Sequence, residues 1–368
     1  MSDVRRHIAL FLPNFDGGGA ERAFVTLGRG LAELGHRVDI VVGNASGPLR
    51  AEISPQVKVV DLASRRLVHA LPGLVRYLRR ERPDRIYAAL EEAGVLALVA
   101  RKLSGVTVQV VPSIRNNLSD EARHASRKRR LLLHLARWLY PSADAVVAVS
   151  QGVADDAAVV LRLPVGLLRV IRNPTLTPEL ADLAGRSVDH EWFAPKMQPV
   201  ILGCGRLSAQ KDFATLIRAF ARLRAERPCR LLILGEGELR RELTDLTAQQ
   251  GVSDAVWMPG FDANPYRFMA NCDVFVLSSL FEGSPNVIVQ ALACGAPVVS
   301  TDCPSGPREL LHGVARGALV AVGDDTAMAA AIAGFLDRAE GPIPVVLPGF
   351  GYLEAAQNYF DAVGGDRS

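Results

Sequence analysis

The chain has 368 residues, of which 49% are hydrophobic, 22% charged and 6% aromatic. It is longer than one hydrophobic core usually organises, and its composition excludes a disordered or fibrous protein. The net charge of +3 combines 27 Lys and Arg against 19 Asp and Glu over residues 1–190 with 15 against 20 over the rest, so two domains with different partners are expected, the basic one suited to phosphates, nucleic acid or an anionic membrane surface.

The first predicted element is a strand, HIALFLP at 7–13. It is too short to cross a bilayer, which takes about 20 apolar residues. It also lacks a small-residue cleavage site, so it reads as a buried strand rather than a secretory signal. A glycine-rich loop and a helix from Ala20 to Leu34 follow, with Gly35 suited to end the helix, and HRVDIVV (36–42) is the next strand. Further strands are expected at Lys58–Leu62, Asp84–Leu90, Thr107–Pro112 and Ala145–Ser150. Strands alternating with helices across short loops imply a parallel, doubly wound sheet.

Residues 177–199 show weak periodicity and three prolines and read as a linker. The pattern then restarts with PVILGCG (199–205), a helix over Phe213–Arg227, CRLLILG (229–235) and a helix over Leu239–Gln250; AVWMPG, DVFVLSS and APVVST supply more strands. The expected layout is two Rossmann-like domains with parallel sheets facing across a cleft. The first spans 1–176, a linker 177–198 and the second 199–348, and a terminal helix within 349–368 is expected to pack back onto the first. Five cysteines, Cys204, Cys229, Cys272, Cys294 and Cys303, contain no CxxC pair. They are expected to be buried free thiols in a cytoplasmic protein, not a disulfide framework or zinc site.

Three segments carry candidate chemistry. In NFDGGGAER (14–22), glycines and a helix start offer close approach and backbone N–H groups to an anion. This is not the dinucleotide fingerprint, because Arg22 stands where the third glycine belongs and no acid follows the second strand. In GCGRLSAQKDF (203–213), Arg206 and Lys211 follow a strand end and suit a diphosphate, although two solvated loop cations fit the spacing equally well. In FEGSPNVIVQALACGAP (281–297), Ser284 and Pro285 read as helix N-cap and first helical residue. The N–H groups of Asn286 and Val287 then favour an anion, with Glu282 just before the helix and Gln290 one turn into it. An acid and an amide beside an anion site suit a polyhydroxylated ligand.

The last segment resembles the signature of the retaining glycosyltransferases of family 4, which have the GT-B fold. That signature has Glu, seven residues, Glu within E-G-F-P-N-x-x-x-E-A-x-A-x-G-x-P-V-V. Here it reads Glu282-Gly283-Ser284-Pro285-Asn286, then Gln290-Ala291-Leu292-Ala293-Cys294-Gly295-Ala296-Pro297. DCPSGPREL (302–310) is similar to members that build bacterial envelope polysaccharides, GRLxxxKD to the diphosphate segment and GGAER (18–22) to the first-domain glycine loop. AVSQGV (148–153) and RNP (172–174) match as well. The resemblance covers nearly the whole chain and does not specify either sugar.

It implies a retaining, metal-independent hexosyltransferase, without cofactor. The donor would be a nucleotide diphosphate sugar, probably UDP-linked; the acceptor a glycan or polyprenyl-linked molecule. Glu282 would contact the donor sugar. Arg206, Lys211, Asn286 and Val287 would hold the diphosphate, and Gln290 stands where the family's second glutamate grips the ribose. Gly18, Gly19, Glu21, Gly235, Phe261, Ser284 and Pro285 complete the expected binding set. Arg115 and Asn116 occupy a position where many members have histidine, and Arg115 suits a phosphate or a sugar oxygen.

Two alternatives are a sugar-nucleotide binder with weak or no turnover, because of Gln290, and a nicotinamide oxidoreductase, disfavoured by the incomplete fingerprint. Nucleic acid fits poorly. The basic stretch RKRRLLLHLARWLY (127–140) has Leu131, Leu135, Trp138 and Leu139 on one stripe. It reads as a core-packed helix with a solvated basic end or as a contact with anionic lipid at the inner face of the membrane.

Overall fold

The computed structural model describes residues 5–123, 126–193, 197–338 and 341–363. Residues 364–368 of the expected terminal helix segment and 194–196 of the expected linker lie outside the described residues. The chain divides into two units, residues 1–175 with 349–368, and residues 176–348.

The first unit holds β1 (His7–Leu12), β2 (Arg37–Val42), β3 (Lys58–Asp61), β4 (Arg85–Ala89), β5 (Gln109–Ile114), β6 (Val146–Ala148) and β7 (Leu168–Val170). Its parallel sheet has the order β3-β2-β1-β4-β5-β6-β7. Apolar runs buried on both faces produce this arrangement. Along β1, Ala9 and Phe11 join one core while Ile8, Leu10 and Leu12 join the other, as the two-residue period of a strand requires. The first core takes side chains from helices Leu71–Glu81, Leu90–Ser104, Arg127–Leu139 and Gln151–Val160. The second takes them from Gly19–Glu33 and Tyr352–Asp361.

Helix Tyr352–Asp361 packs on Gly19–Glu33. Gly30 permits the approach: a Cβ there would lie 2.8 Å from the Ala356 Cβ and 3.0 Å from the Tyr352 carbonyl oxygen. Tyr87 donates to the Tyr359 carbonyl at 2.7 Å, and Tyr352 to Glu33 at 2.6 Å. Beneath the sheet edge, fully buried Asp39 accepts from the Tyr77 hydroxyl at 2.9 Å and meets His7 Nε2 at 3.0 Å. Burial pushes the Asp39 carboxyl up, but the bonds from His7 and Tyr77 outweigh it and hold it below its ordinary value.

The second unit holds β8 (Val200–Cys204), β9 (Arg230–Leu234), β10 (Val256–Gly260), β11 (Val274–Leu277), β12 (Val298–Thr301) and β13 (Gly317–Val320), in the order β10-β9-β8-β11-β12-β13. Residues 177–193 are part of this unit's fold. Helix Glu179–Ala184 packs on Tyr266–Asn271, and His190 stacks on Trp257 at 3.7 Å. A six-residue helix shows little periodicity, and its packing partners lie some seventy residues away in the chain, which is why the segment reads as a linker. Strands β7 and β13 escape the sequence for a similar reason, being three and four residues long. Of the cysteines, Cys229, Cys294 and Cys303 are buried, whereas Cys204 and Cys272 are half-buried. Among the described residues no helix is long and apolar enough to cross a membrane.

Candidate active site

In the second sheet the strand order reverses between β8 and β11, and ligands of doubly wound sheets bind where two neighbouring strand ends diverge in this way. The loops leaving these two strands are fastened together. The Leu280 N–H donates to the Gln210 carbonyl at 2.8 Å, and the Gln210 amide to the Phe281 carbonyl at 2.9 Å. The Ser278 hydroxyl donates to the Lys211 carbonyl at 2.7 Å. Asp212, in the left-handed region at φ 41°, caps helix Phe213–Glu226 by accepting from the Thr215 N–H and hydroxyl. The Lys-Asp pair thus works as a unit, Asp212 fixing the turn that aims Lys211.

Lys211 Nζ donates to Glu282 Oε1 at 2.6 Å, and the Ser279 hydroxyl donates to the same oxygen at 2.6 Å. Ser279 is itself held by Thr301, whose hydroxyl donates to the Ser279 carbonyl at 2.6 Å. The Lys211 and Glu282 side chains are 18% and 8% exposed, which makes this a largely desolvated ion pair with a fixed geometry. Cys303, from the loop after β12, has a thiol pushed up to about 12 by burial, with Glu282 adding to the effect.

Glu282 is followed by buried Gly283, Ser284 and Pro285, and then by helix Asn286–Ala293. The N-cap is Pro285, not Ser284 as expected, because the chain enters the helix with Pro285 still extended at ψ 96°. Released from capping, the Ser284 hydroxyl is buried and has no hydrogen-bond partner in the protein, a costly condition that a ligand oxygen or amide would relieve. Gly306 lets the loop after β12 close over this turn, since a Cβ there would lie 2.6 Å from Pro285 Cδ. Gln290 is 9% exposed, and its amide donates to the Tyr266 hydroxyl at 3.3 Å.

The other expected residues of this unit sit at neighbouring strand ends. Arg206 is exposed after β8, and among the described residues it has no ion-pair partner. Gly235, at φ 138° after β9, presses against Gly205, where a Cβ would lie 1.9 Å from the Gly205 carbonyl oxygen. Phe261 follows β10 and is 62% exposed. Among the described residues no three His, Cys, Asp or Glu side chains cluster as a metal site would need.

In the first unit, Gly18 precedes helix Gly19–Glu33 and the Glu21 carboxylate folds back over it. Arg115, just past β5, is only 7% exposed. It donates to Asn173 Oδ1 at 2.5 Å, more weakly to Ser113 and Tyr359, and lies 5.3 Å from the Phe24 ring centre. All these partners are neutral, so this buried cation has no carboxylate beside it among the described residues. Asn116 is drawn aside, its amide donating to Glu121 at 2.8 Å.

With this geometry in place, comparisons with known proteins can be weighed. Residues 17–175 match the profile described as Glycosyltransferase Family 4, and residues 198–338 that described as Glycosyl transferases group 1. The chain is 31% identical to a lipopolysaccharide core biosynthesis glycosyltransferase, LpsE, of Rhizobium meliloti, over 86% of this chain and 84% of the relative. It belongs to the family 4 glycosyltransferases. It is also 33% identical to the N-acetylgalactosamine-N,N'-diacetylbacillosaminyl-diphospho-undecaprenol 4-alpha-N-acetylgalactosaminyltransferase of Campylobacter jejuni. That match spans 67% of this chain but 65% of the relative, less than two thirds of its length. Anabaena HepE, solved with UDP and glucose, aligns with a TM-score of 0.75 over 98% of this chain and 96% of HepE at 22% identity. That likeness is one of fold, and the two Rossmann-like units of this family 4 member are those of a GT-B protein.

Sequence reasoning passed over several residues that build the site. Ser279 was legible, as a serine ending an apolar strand beside the acid. Tyr266, Asn173 and Tyr359 touch Gln290 or Arg115 from elements distant in sequence, and no local pattern marks them.

Proposed function

We propose that this family 4 member transfers a hexose from a nucleotide diphosphate donor, UDP-linked, to a glycan or lipid-linked acceptor in bacterial polysaccharide assembly, with retention of configuration and without a metal or cofactor. The second unit holds the donor and the first the acceptor. The observation that carries this reading is the Lys211–Glu282 pair at the switch point of the second sheet. Glu282 receives donor-sugar hydroxyls. Lys211, Arg206 and the start of helix Asn286–Ala293 stabilise the charge that grows on the departing diphosphate. The acceptor hydroxyl attacks on the face the diphosphate leaves, and the diphosphate takes its proton. The unpartnered Ser284 hydroxyl supports a polar donor group beside this turn, and Arg115, a buried cation among neutral partners, suits an anionic or sugar oxygen of the acceptor. Names of relatives, which include lipopolysaccharide core and undecaprenol-linked glycan enzymes, support the pathway class.

A second reading is a nucleotide-sugar binder with weak turnover, favoured by Gln290, whose amide is engaged by Tyr266 in place of a ribose-gripping carboxylate. Thermal shift and nucleoside diphosphate release, measured across a panel of nucleotide sugars, test both. A UDP-sugar that raises the melting temperature and is turned over supports the transferase; a shift without turnover supports the binder. No shift with any nucleotide sugar overturns the site itself.

A further inference from the structure

One face of the first unit is built for something other than sugar chemistry. Helix Arg127–Leu139 buries Leu133 and Ala136 in the core beneath it, and Arg129 pins its start by pairing with Glu91 at 2.6 Å and with Glu121. So anchored, the helix turns Leu131, Leu135 and Trp138 outward, at 59%, 42% and 71% exposure. Their spacing of i, i+4, i+7 places them on one outward stripe. This reverses the core-packed reading of these three side chains, because Leu133 and Ala136 supply the buried face and only Leu139 leans inward.

Beside the stripe, Arg127, Lys128 and Arg130 are exposed and have no ion-pair partner among the described residues. The helix contains no acid. These cations crowd its N-terminus, where the backbone dipole disfavours positive charge, so the helix gains nothing from them and an external anion would. A second observation lies on the same side of the sheet. Helix Leu71–Glu81 buries into the same core, and a groove of about 690 Å³ beside it is walled by Leu71, Val75 and Leu103 and rimmed by Arg76, Arg79 and Arg80. Apolar surface and unpaired cations therefore recur along one helical layer.

We propose that this layer docks the first unit on an anionic lipid bilayer. Leu131, Leu135 and Trp138 enter the boundary between headgroups and acyl chains, while Arg127, Lys128 and Arg130 meet lipid phosphates. Nucleic acid would use the cations but leave three large apolar side chains in water, and a second copy would set the cations against each other. The inference is independent of the donor-site reading, and its test uses no sugar.

The full chain is mixed with vesicles of phosphatidylcholine alone or with phosphatidylglycerol, and binding is read by co-sedimentation and tryptophan fluorescence. Strong binding is expected only with phosphatidylglycerol, weakening with salt and accompanied by a blue shift that Trp138→Phe reduces. Arg127→Gln, Lys128→Gln and Arg130→Gln together are expected to lower partitioning about a hundredfold, at roughly fivefold per cation. Leu131→Ser, Leu135→Ser and Trp138→Ser together remove the blue shift while keeping the charge. All six side chains are exposed, so circular dichroism and melting should match the parent; the single Trp138→Phe variant provides the readout if a triple variant fails to fold. The proposal is overturned if the parent ignores phosphatidylglycerol vesicles, if both triple variants bind as well as the parent, or if the stripe mediates self-association in place of lipid binding.

Discussion

Lys211 and Glu282 share one desolvated hydrogen bond, so each protects the other in the empty site and both turn to the donor when it binds. Lys211→Ala is expected to lower kcat by about 10²–10³, the usual cost of removing one stabilising donor from a developing anion, measured as UDP release at saturating donor. Glu282→Gln is expected to raise KM for the donor and lower kcat, since it weakens the sugar contact and leaves Lys211 without its counter-charge. Gln290→Glu restores the carboxylate of the family signature. It should tighten donor binding by roughly tenfold, the difference between a neutral and a charge-assisted hydrogen bond, as read by calorimetric titration with the nucleoside diphosphate. An unchanged affinity would detach Gln290 from the ribose and leave it a structural partner of Tyr266.

Among elements, the contact between helices Gly19–Glu33 and Tyr352–Asp361 depends on one missing Cβ. Gly30→Val is expected to destabilise the first unit by about 1–3 kcal/mol through overpacking against Ala356 and the Tyr352 carbonyl, visible as a lower melting temperature. Helix Leu71–Glu81 is tied to β2 through Tyr77 and Asp39. Because the Asp39 carboxyl is held below its ordinary value, its contribution to stability is present at neutral pH. That contribution is lost as pH falls through the folded-state value. Tyr77→Phe is expected to cost about 1.5–3 kcal/mol at pH 7. Denaturant titrations at stepped pH should show the gap between variant and parent closing below about pH 4, where Asp39 protonates in the unfolded chain. The linker reading failed at this scale: six helical residues cannot show a period, and stacking of His190 on Trp257 is invisible until the fold brings them together.

For the whole molecule, the last described helix belongs to the first unit although the second lies between them in the chain. Truncation after Pro348 removes Phe350, Ala356 and Tyr359, each essentially inaccessible to solvent. It is expected to destabilise the first unit by more than about 5 kcal/mol while leaving the second folded. Calorimetry would then show the loss of one transition and the survival of another. The sequence by itself determined the two parallel sheets, through alternating strand and helix periods and apolar runs buried on both faces. It also determined the family, because Glu282, Lys211 and the glycines between them sit in local segments whose turns are set by neighbouring residues. Only the tertiary structure decided which side chains meet. That Lys211 closes on Glu282 rather than standing free, that Ser284 is left without a partner and that Arg115 is buried among neutral groups depend on strand order, which joins residues far apart in the chain. The outward turn of Leu131, Leu135 and Trp138 is likewise tertiary: helical period groups residues on a stripe, but only packing against a neighbour decides which stripe is buried.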